Sequence, residues 1–229
     1  MTTFVLVHGA YQGGWIWQPV AERLADAGHR VYHPSLDGCG ERRGALRSGI
    51  TTESQGGEIA DLLFYEDLTG VVLVGTSSGG MVVCRAAELA ADRVARVVFV
   101  DALALADGER IADFVNRPSS VSDELATGPT RTDAEARMFA DLDPETRAWA
   151  LDRYTMHPIA AMNEPVRLER FWDLPWSAQV VYCRRSVNPP EAHQRRTAER
   201  LGATWVELDT GHYPMLSTPD ELAAILGAG

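Results

Sequence analysis

Apolar residues along this chain gather in short unbroken runs rather than in alternation. The runs Phe4–His8, Arg30–His33, Val71–Val74, Val94–Val100, Gln179–Cys183 and Thr204–Leu208 are rich in valine and predict strands covered on both faces. Between them apolar positions return at helical spacing over Trp17–Ala27, Glu53–Asp67, Ser78–Ala91, Glu191–Leu201 and Pro219–Leu226. The last opens with Ser217-Thr218-Pro219 and carries Glu221 in its first turn, a helix-start pattern. Regular β–α alternation predicts an α/β fold, a mostly parallel sheet flanked by helices with right-handed crossovers.

The interval from Asp101 to Gln179 breaks this rhythm. It carries no strong strand signal, whereas Asp113–Phe114, Thr132–Leu142, Pro144–Tyr154 and Pro165–Trp172 have helical patterns punctuated by Pro118, Pro129, Pro144, Pro158, Pro165 and Pro175. An insertion this long and this helical predicts a cap over the strand ends. The expected organisation is a core over residues 1–104, a helical cap over 105–176 inserted before the last two strands, and the rest of the core over 177–229.

Candidate chemistry sits where a strand pattern meets a helix pattern. Gly75-Thr76-Ser77-Ser78-Gly79-Gly80 has the G-x-S-x-G spacing of a nucleophile elbow. Gly75 and Gly79 lack a Cβ, so strand and helix can approach while Ser77 occupies a strained apex and projects its hydroxyl out of the sheet. A serine nucleophile needs a base, an orienting carboxylate and donors for an oxyanion. The base candidate is His212 in Gly211-His212-Tyr213-Pro214, on the loop after the last strand pattern. His8 ends the first strand and reads as a turn-shaping residue; His157 and His193 read as surface positions. The oxyanion donors expected are the backbone N–H of Ser78 and of Ala10, the latter in His8-Gly9-Ala10-Tyr11-Gln12-Gly13-Gly14-Trp15. That glycine-rich turn is not a dinucleotide loop, because it lacks G-x-G-x-x-G and the next strand pattern ends in His33-Pro34 rather than an acid. Gly38-Cys39-Gly40 fails the same test, since no helix pattern opens there.

Composition narrows the chemistry further. All 21 basic residues are arginine, and without lysine there is no Schiff-base site, Walker A lysine or Tyr-x-x-x-Lys pair. The net charge of −11 argues against nucleic acid or an anionic membrane as partner. The expected partner is a small-molecule substrate, with a homodimer left open. The opening MTTFVLVHG enters a strand at once and has no signal-peptide n-region. Cys39, Cys84 and Cys183 are few, scattered and without metal-ligand spacing, as in a cytoplasmic protein with reduced thiols. No metal is expected.

Taken in order, HGAYQGGW, VGTSSGG and GHYP resemble the α/β-hydrolase superfamily, and within it the small serine esterases related to plant methylesterases, hydroxynitrile lyases and bacterial pyrethroid hydrolases. The likeness spans essentially the whole chain. It implies a helical cap, a pocket between cap and sheet, no cofactor, and Ser77, His212 and the Ala10 and Ser78 amides as the working groups. One element departs from the pattern. In these relatives the acid follows the strand read here as Gln179–Cys183, and this chain has Ser186 at that place, in Arg184-Arg185-Ser186-Val187-Asn188-Pro189. Asp101, at the end of the run after the elbow, is the substitute, as in superfamily members such as certain lipases and haloalkane dehalogenases; the other reading is that Asp101 caps its segment or pairs with an arginine. Asp209 is too close to His212 on a tight loop, and Asp37 belongs to a structural turn.

The expected function is hydrolysis of a small, mainly apolar carboxylic ester, lactone or thioester through an acyl-enzyme on Ser77. Pocket candidates are Tyr11, Trp15, Trp149, Trp172 and Tyr213. A hydroxynitrile lyase is disfavoured, because the resemblance implies a lysine beyond the histidine and Tyr213 follows here. The alternatives are a ligand-binding protein, or a non-hydrolytic cyclase or lyase, on the same scaffold.

Overall fold

The computed structural model describes residues 1–115 and 120–228; Pro118 and Gly229 lie outside them. The strands β1 (Thr3–Val7), β2 (Arg30–Tyr32), β3 (Val71–Ser77), β4 (Val94–Ala102), β8 (Ser177–Cys183) and β9 (Thr204–Leu208) form one six-stranded sheet in the order β2-β1-β3-β4-β8-β9. Every pair in it is parallel. The helices α1 (Gln18–Asp26), α2 (Thr52–Tyr65), α3 (Gly79–Leu89), α7 (Glu191–Leu201), α8 (Pro214–Ser217) and α9 (Pro219–Gly227) supply the crossovers and the C-terminal cover.

The valine-rich runs are explained by burial on both faces. Phe4, Leu6, Val72, Val74, Val98 and Val100 pack with Trp17 and Leu24 around α1 and with Leu222 and Leu226 of α9. The residues between them, Val5, Val7, Leu73, Val97 and Phe99, pack with Ile59 and Leu63 of α2 and Met81 and Val83 of α3. Each fully buried side chain of this size contributes roughly 1.5–3 kcal/mol of transfer free energy, so the two faces together dominate the fold. β3 and β4 run past their expected ends to Ser77 and Ala102, carrying the sheet into the site itself.

The segment between β4 and β8 departs from an all-helical insertion. It holds a three-stranded sheet in the order β5-β6-β7, of β5 (Ser120–Ser122), β6 (Ala126–Pro129) and β7 (His157–Pro158). The β5–β6 turn is made by Asp123, whose Oδ1 accepts from the Leu125 and Ala126 amides at 2.8 and 2.7 Å. Helical parts are α4 (Arg131–Asp133) running into a π-helical turn (Ala134–Met138), α5 (Pro144–Arg153) and α6 (Ile159–Asn163). Pro165–Trp172, expected to be helical, is not, apart from a 3₁₀ turn at Phe171–Asp173. Its amides are claimed by distant partners instead: Val166 N–H by the Glu109 carbonyl at 2.9 Å, Arg167 N–H by Glu53 at 2.9 Å and Leu168 N–H by Asp107 at 3.0 Å. A short 3₁₀ turn, Gly40–Ala45, also opens where no helix is expected.

Candidate active site

The elbow is a strained corner shared by two strands. Ser77 has φ +51° and Asp101 φ +44°, both in the left-handed region that non-glycine residues rarely occupy. The register steps from Thr76↔Val100 to Ser77↔Ala102, so Asp101 is the extra residue of a bulge directly beside the elbow. Two glycines make room for the corner. A Cβ on Gly79 would stand 2.5 Å from the His8 carbonyl oxygen and 2.7 Å from that of Val7, and one on Gly9 would stand 2.6 Å from Ser77 Cβ.

The loop after β1 is held by His8. Its Nδ1–H donates to the Gly9 carbonyl at 2.8 Å, and its Nε2 accepts from the Leu36 amide at 2.9 Å. Burial pushes the imidazole down to about 4, so it stays neutral and keeps both bonds. Gly9 N–H donates to Gln12 Oε1 at 3.2 Å, and the Tyr11 carbonyl accepts from Thr155 N–H at 3.1 Å. Ala10 is thereby presented to the same cavity as Ser77 and Ser78.

His212 follows β9 on a loop fastened by a 2.7 Å hydrogen bond between the Thr210 and Ser217 hydroxyls. Its Nδ1–H donates to Asp101 Oδ2 at 2.5 Å. The other carboxylate oxygen, Oδ1, accepts from Gln194 Nε2 at 2.7 Å. Asp101 is fully buried, and a carboxylate there needs partners on both oxygens; it has them, and neither is an arginine. Ser186 turns back on its own loop, donating to the Asn188 carbonyl at 3.1 Å. Asp209 is exposed and lies 3.6 and 3.7 Å from Arg184 and Arg185, and Asp37 pairs with Arg47 at 2.7 Å.

Ser77, Ser78, Ala10 and His212 line one cavity of about 330 Å³. Its apolar walls come from Leu103 after β4 and, in the segment between β4 and β8, from Ile111, Val115, Met138 and Met162. Tyr11 and Tyr213 line it as expected, and burial pushes the Tyr213 phenol well up. The three tryptophans do not. Trp15 and Trp149 pack edge to face at 5.2 Å, while Trp172 donates to the Leu105 carbonyl at 3.1 Å and lies under Arg200. Their surface is spent on packing, which outranks pocket lining for large aromatics at helical spacing.

Sequence reasoning missed most of the polar rim; of it, Arg185 alone is weighed as a contact for a substrate carboxylate, against a solvated surface position. Asp133, Arg137 and Asp141 reach the cavity from α4, the π-helical turn and the chain after it, and Arg185 from the loop after β8. The helical pattern of Thr132–Leu142 locates this stretch, but the π-helical turn changes which residues face inward. Two histidines are corrected as well: His157 and His193 are 3% and 4% exposed, not surface residues. His157 Nδ1 lies 3.4 Å from Cys39 Sγ, and His193 Nε2 accepts from Ala104 N–H at 3.2 Å. The buried face of α7 is polar (His193, Gln194, Thr197), which hides it from any hydrophobic pattern. Burial pushes the Cys39 thiol up to about 12 and raises Cys84 and Cys183, so none of the thiols is a thiolate nucleophile at neutral pH. Among the described residues no cluster of His, Cys, Asp and Glu is arranged to hold a metal ion, and no helix is long and apolar enough to cross a membrane.

A serine apex, an imidazole bonded to a buried carboxylate and a parallel sheet define the hydrolase class. The chain belongs to the alpha/beta hydrolase family, whose model matches residues 4–225. It is 35% identical to a carbendazim hydrolyzing esterase from Nocardioides sp. (strain SG-4G), covering 100% of this chain and 99% of that protein. It is 27% identical to methylesterase 3 of Arabidopsis thaliana, over 97% of this chain and 93% of the relative. Among solved structures, a pyrethroid hydrolase from Sphingobium faniae JZ-2 superposes with a TM-score of 0.83 at 23% identity, covering 99% of this chain and 96% of that one, a likeness of fold.

Proposed function

We propose that this α/β hydrolase cleaves small, mainly apolar carboxylic esters through an acyl-enzyme on Ser77. That it is a carboxylic-ester hydrolase rests on relatives named for ester hydrolysis along its whole length. The observation that carries the mechanism is the grouping of Ser77, Ser78, Ala10 and His212 on one cavity, with His212 Nδ1 bonded to buried Asp101.

In this reading Ser77 Oγ attacks the ester carbonyl and His212 Nε2 takes its proton. The Ala10 and Ser78 N–H groups receive the developing oxyanion, and collapse of the adduct expels the alcohol, protonated by His212. Water, deprotonated by the same imidazole, then attacks the acyl carbonyl and releases the acid and Ser77. Asp101 fixes the imidazole with Nδ1 protonated and stabilises the imidazolium, the role that a serine at position 186 could not fill. The stretch 105–176 acts as the cap, since Ile111, Val115, Met138 and Met162 lend the cavity its apolar walls. Buried, unpaired thiols suit a cytoplasmic setting.

The test is labelling with a fluorophosphonate alongside hydrolysis of p-nitrophenyl butyrate. The label is expected on the peptide containing Ser77 and absent from Ser77→Ala. A wild-type protein no faster than Ser77→Ala would overturn the esterase reading in favour of a ligand-binding role.

A further inference from the structure

We propose that Gln194 is a positioning residue for ester hydrolysis: its side-chain amide holds the Asp101 carboxylate in place and ties it to the wall of the substrate cavity. The inference rests on the acyl-enzyme reading above and adds to it the element that lets the acid work from the end of β4.

The geometry of the amide is specific. One Gln194 Nε2–H donates to Asp101 Oδ1 at 2.7 Å and the other to the Pro189 carbonyl at 3.1 Å. Both neighbours are acceptors, so the amide has only one workable orientation, with the nitrogen towards them. That orientation leaves Gln194 Oε1 buried with no partner among the described residues. The side chain is 1% exposed, so water does not compensate for it freely. An amide that tolerates an orphaned oxygen to keep both donors engaged is held there by what those donors do.

The two donors join two parts of the site. Asp101 is a bulge residue at φ +44° whose other oxygen carries the hydrogen bond from His212. Pro189 belongs to the loop after β8 that lines the same cavity as the elbow. The preceding residue of α7 acts on the same stretch, since His193 Nε2 accepts from the Ala104 amide three residues beyond Asp101. The first turn of α7 therefore clamps the chain on and after the bulge, and Gln194 is the member that touches the carboxylate.

The sign of the effect follows from charge sharing. A carboxylate that gives part of its negative charge to Gln194 attracts the His212 proton less strongly than one without that donor. Removing the donor leaves the carboxylate a stronger partner for the imidazolium, so the acid limb of kcat/KM moves to higher pH. The other charged or titratable groups facing the cluster are Tyr182 and Cys183 on β8, Asp141 against Gly211, Tyr213 beside His212, His193 on α7 and Arg185 on the loop after β8. Each is unchanged by a substitution at Gln194.

The experiment compares wild type, Gln194→Met, which keeps the volume but has no donor, and Thr197→Val on the same buried face of α7, with p-nitrophenyl butyrate as substrate. The Thr197 hydroxyl donates to the His193 carbonyl and, among the described residues, to nothing in the site, so its variant reports the cost of disturbing the helix. For Gln194→Met, kcat is expected to fall about tenfold, KM to change less, and the acid limb to rise by about one pH unit, the scale of one hydrogen bond to a charge. Thr197→Val is expected to lose stability while keeping the wild-type limb. An acid limb for Gln194→Met that coincides with the other two overturns the proposal. Should Gln194→Met not fold, Gln194→Asn, one methylene too short to reach both acceptors, carries the same comparison. In the wild-type protein the Gln194 side-chain N–H resonances are expected to titrate together with His212, and resonances that ignore that titration also overturn the proposal. Loss of activity in Ser77→Ala alongside an unmoved limb in Gln194→Met removes only the role of Gln194, whereas full activity in Ser77→Ala removes the acyl-enzyme reading itself.

Discussion

Strands β4 and β8 are hydrogen-bonded neighbours that end at the same edge of the sheet, and they end differently. β4 ends in a fully buried carboxylate in a left-handed bulge, bonded to His212 on one oxygen and Gln194 on the other. β8 ends in a loop whose Ser186 hydroxyl donates to a carbonyl two residues on. The resemblance to small esterases places the acid at the β8 end, and this chain places its carboxylate one strand over. The position that can hold a working charge is the one with donors on both carboxylate oxygens and no access for water, whatever its place in the sequence pattern.

The largest expected effects break the shared parts. Ser77→Ala and His212→Ala should each lower kcat for p-nitrophenyl butyrate by at least ~10³-fold, measured under single-turnover conditions. Next, moving the acid tests the two strand ends directly. Asp101→Asn combined with Ser186→Asp should recover less than about a tenth of wild-type kcat, because the Ser186 hydroxyl is turned towards Asn188 and no side chain among the described residues donates to it as Gln194 does to Asp101. Recovery to wild-type rates would mean that the β8 end is as competent as the β4 end.

Smaller effects concern the frame around the corner. Gly79→Ala forces a Cβ to within 2.5 Å of the His8 carbonyl oxygen, so the elbow must open. Its expected cost is about 2–4 kcal/mol in denaturant unfolding, the range of overpacked cores and somewhat above. Gly211→Ala meets the movable carboxylate of Asp141 instead and should cost less than about 1 kcal/mol.

A further effect is one of pH. His8 and His193 are each held down to about 4 by burial, against about 6.5 in the unfolded chain. Between those values the unfolded state binds more protons, so stability is complete above about pH 6.5 and declines as pH falls towards about 4. Urea midpoints between pH 7 and 5 should show that decline, and it should shrink in His193→Gln.

Much of this was legible in the sequence, and the failures share a cause. The parallel sheet was readable because buried strands are written as unbroken valine runs, and the elbow because its glycines are dictated by backbone contact rather than by choice. Asp101 was readable only as one of two possibilities: a carboxylate at a strand end announces itself, but its partners lie on α7 and beyond β9. Gln194, His193 and Thr197 were missed because they are polar residues facing inward, which periodicity scores as surface. The open stretch after Pro165 was missed because its amides bond to distant residues such as Glu109, Glu53 and Asp107, and β5, β6 and β7 because they are too short to write a pattern. The tryptophans were candidates for the pocket as bulky apolar residues of the cap and the first-strand loop, and packing took them.

In the proposed triad the carboxylate at the end of β4, not the residue after β8, serves His212. The measurement that tests it most directly is kcat for p-nitrophenyl butyrate in Asp101→Asn beside Ser186→Ala, with folding of both verified by thermal melts. A loss of about 10²-fold or more is expected for Asp101→Asn and a change of less than about twofold for Ser186→Ala. A folded Asp101→Asn enzyme that retains wild-type kcat would contradict it.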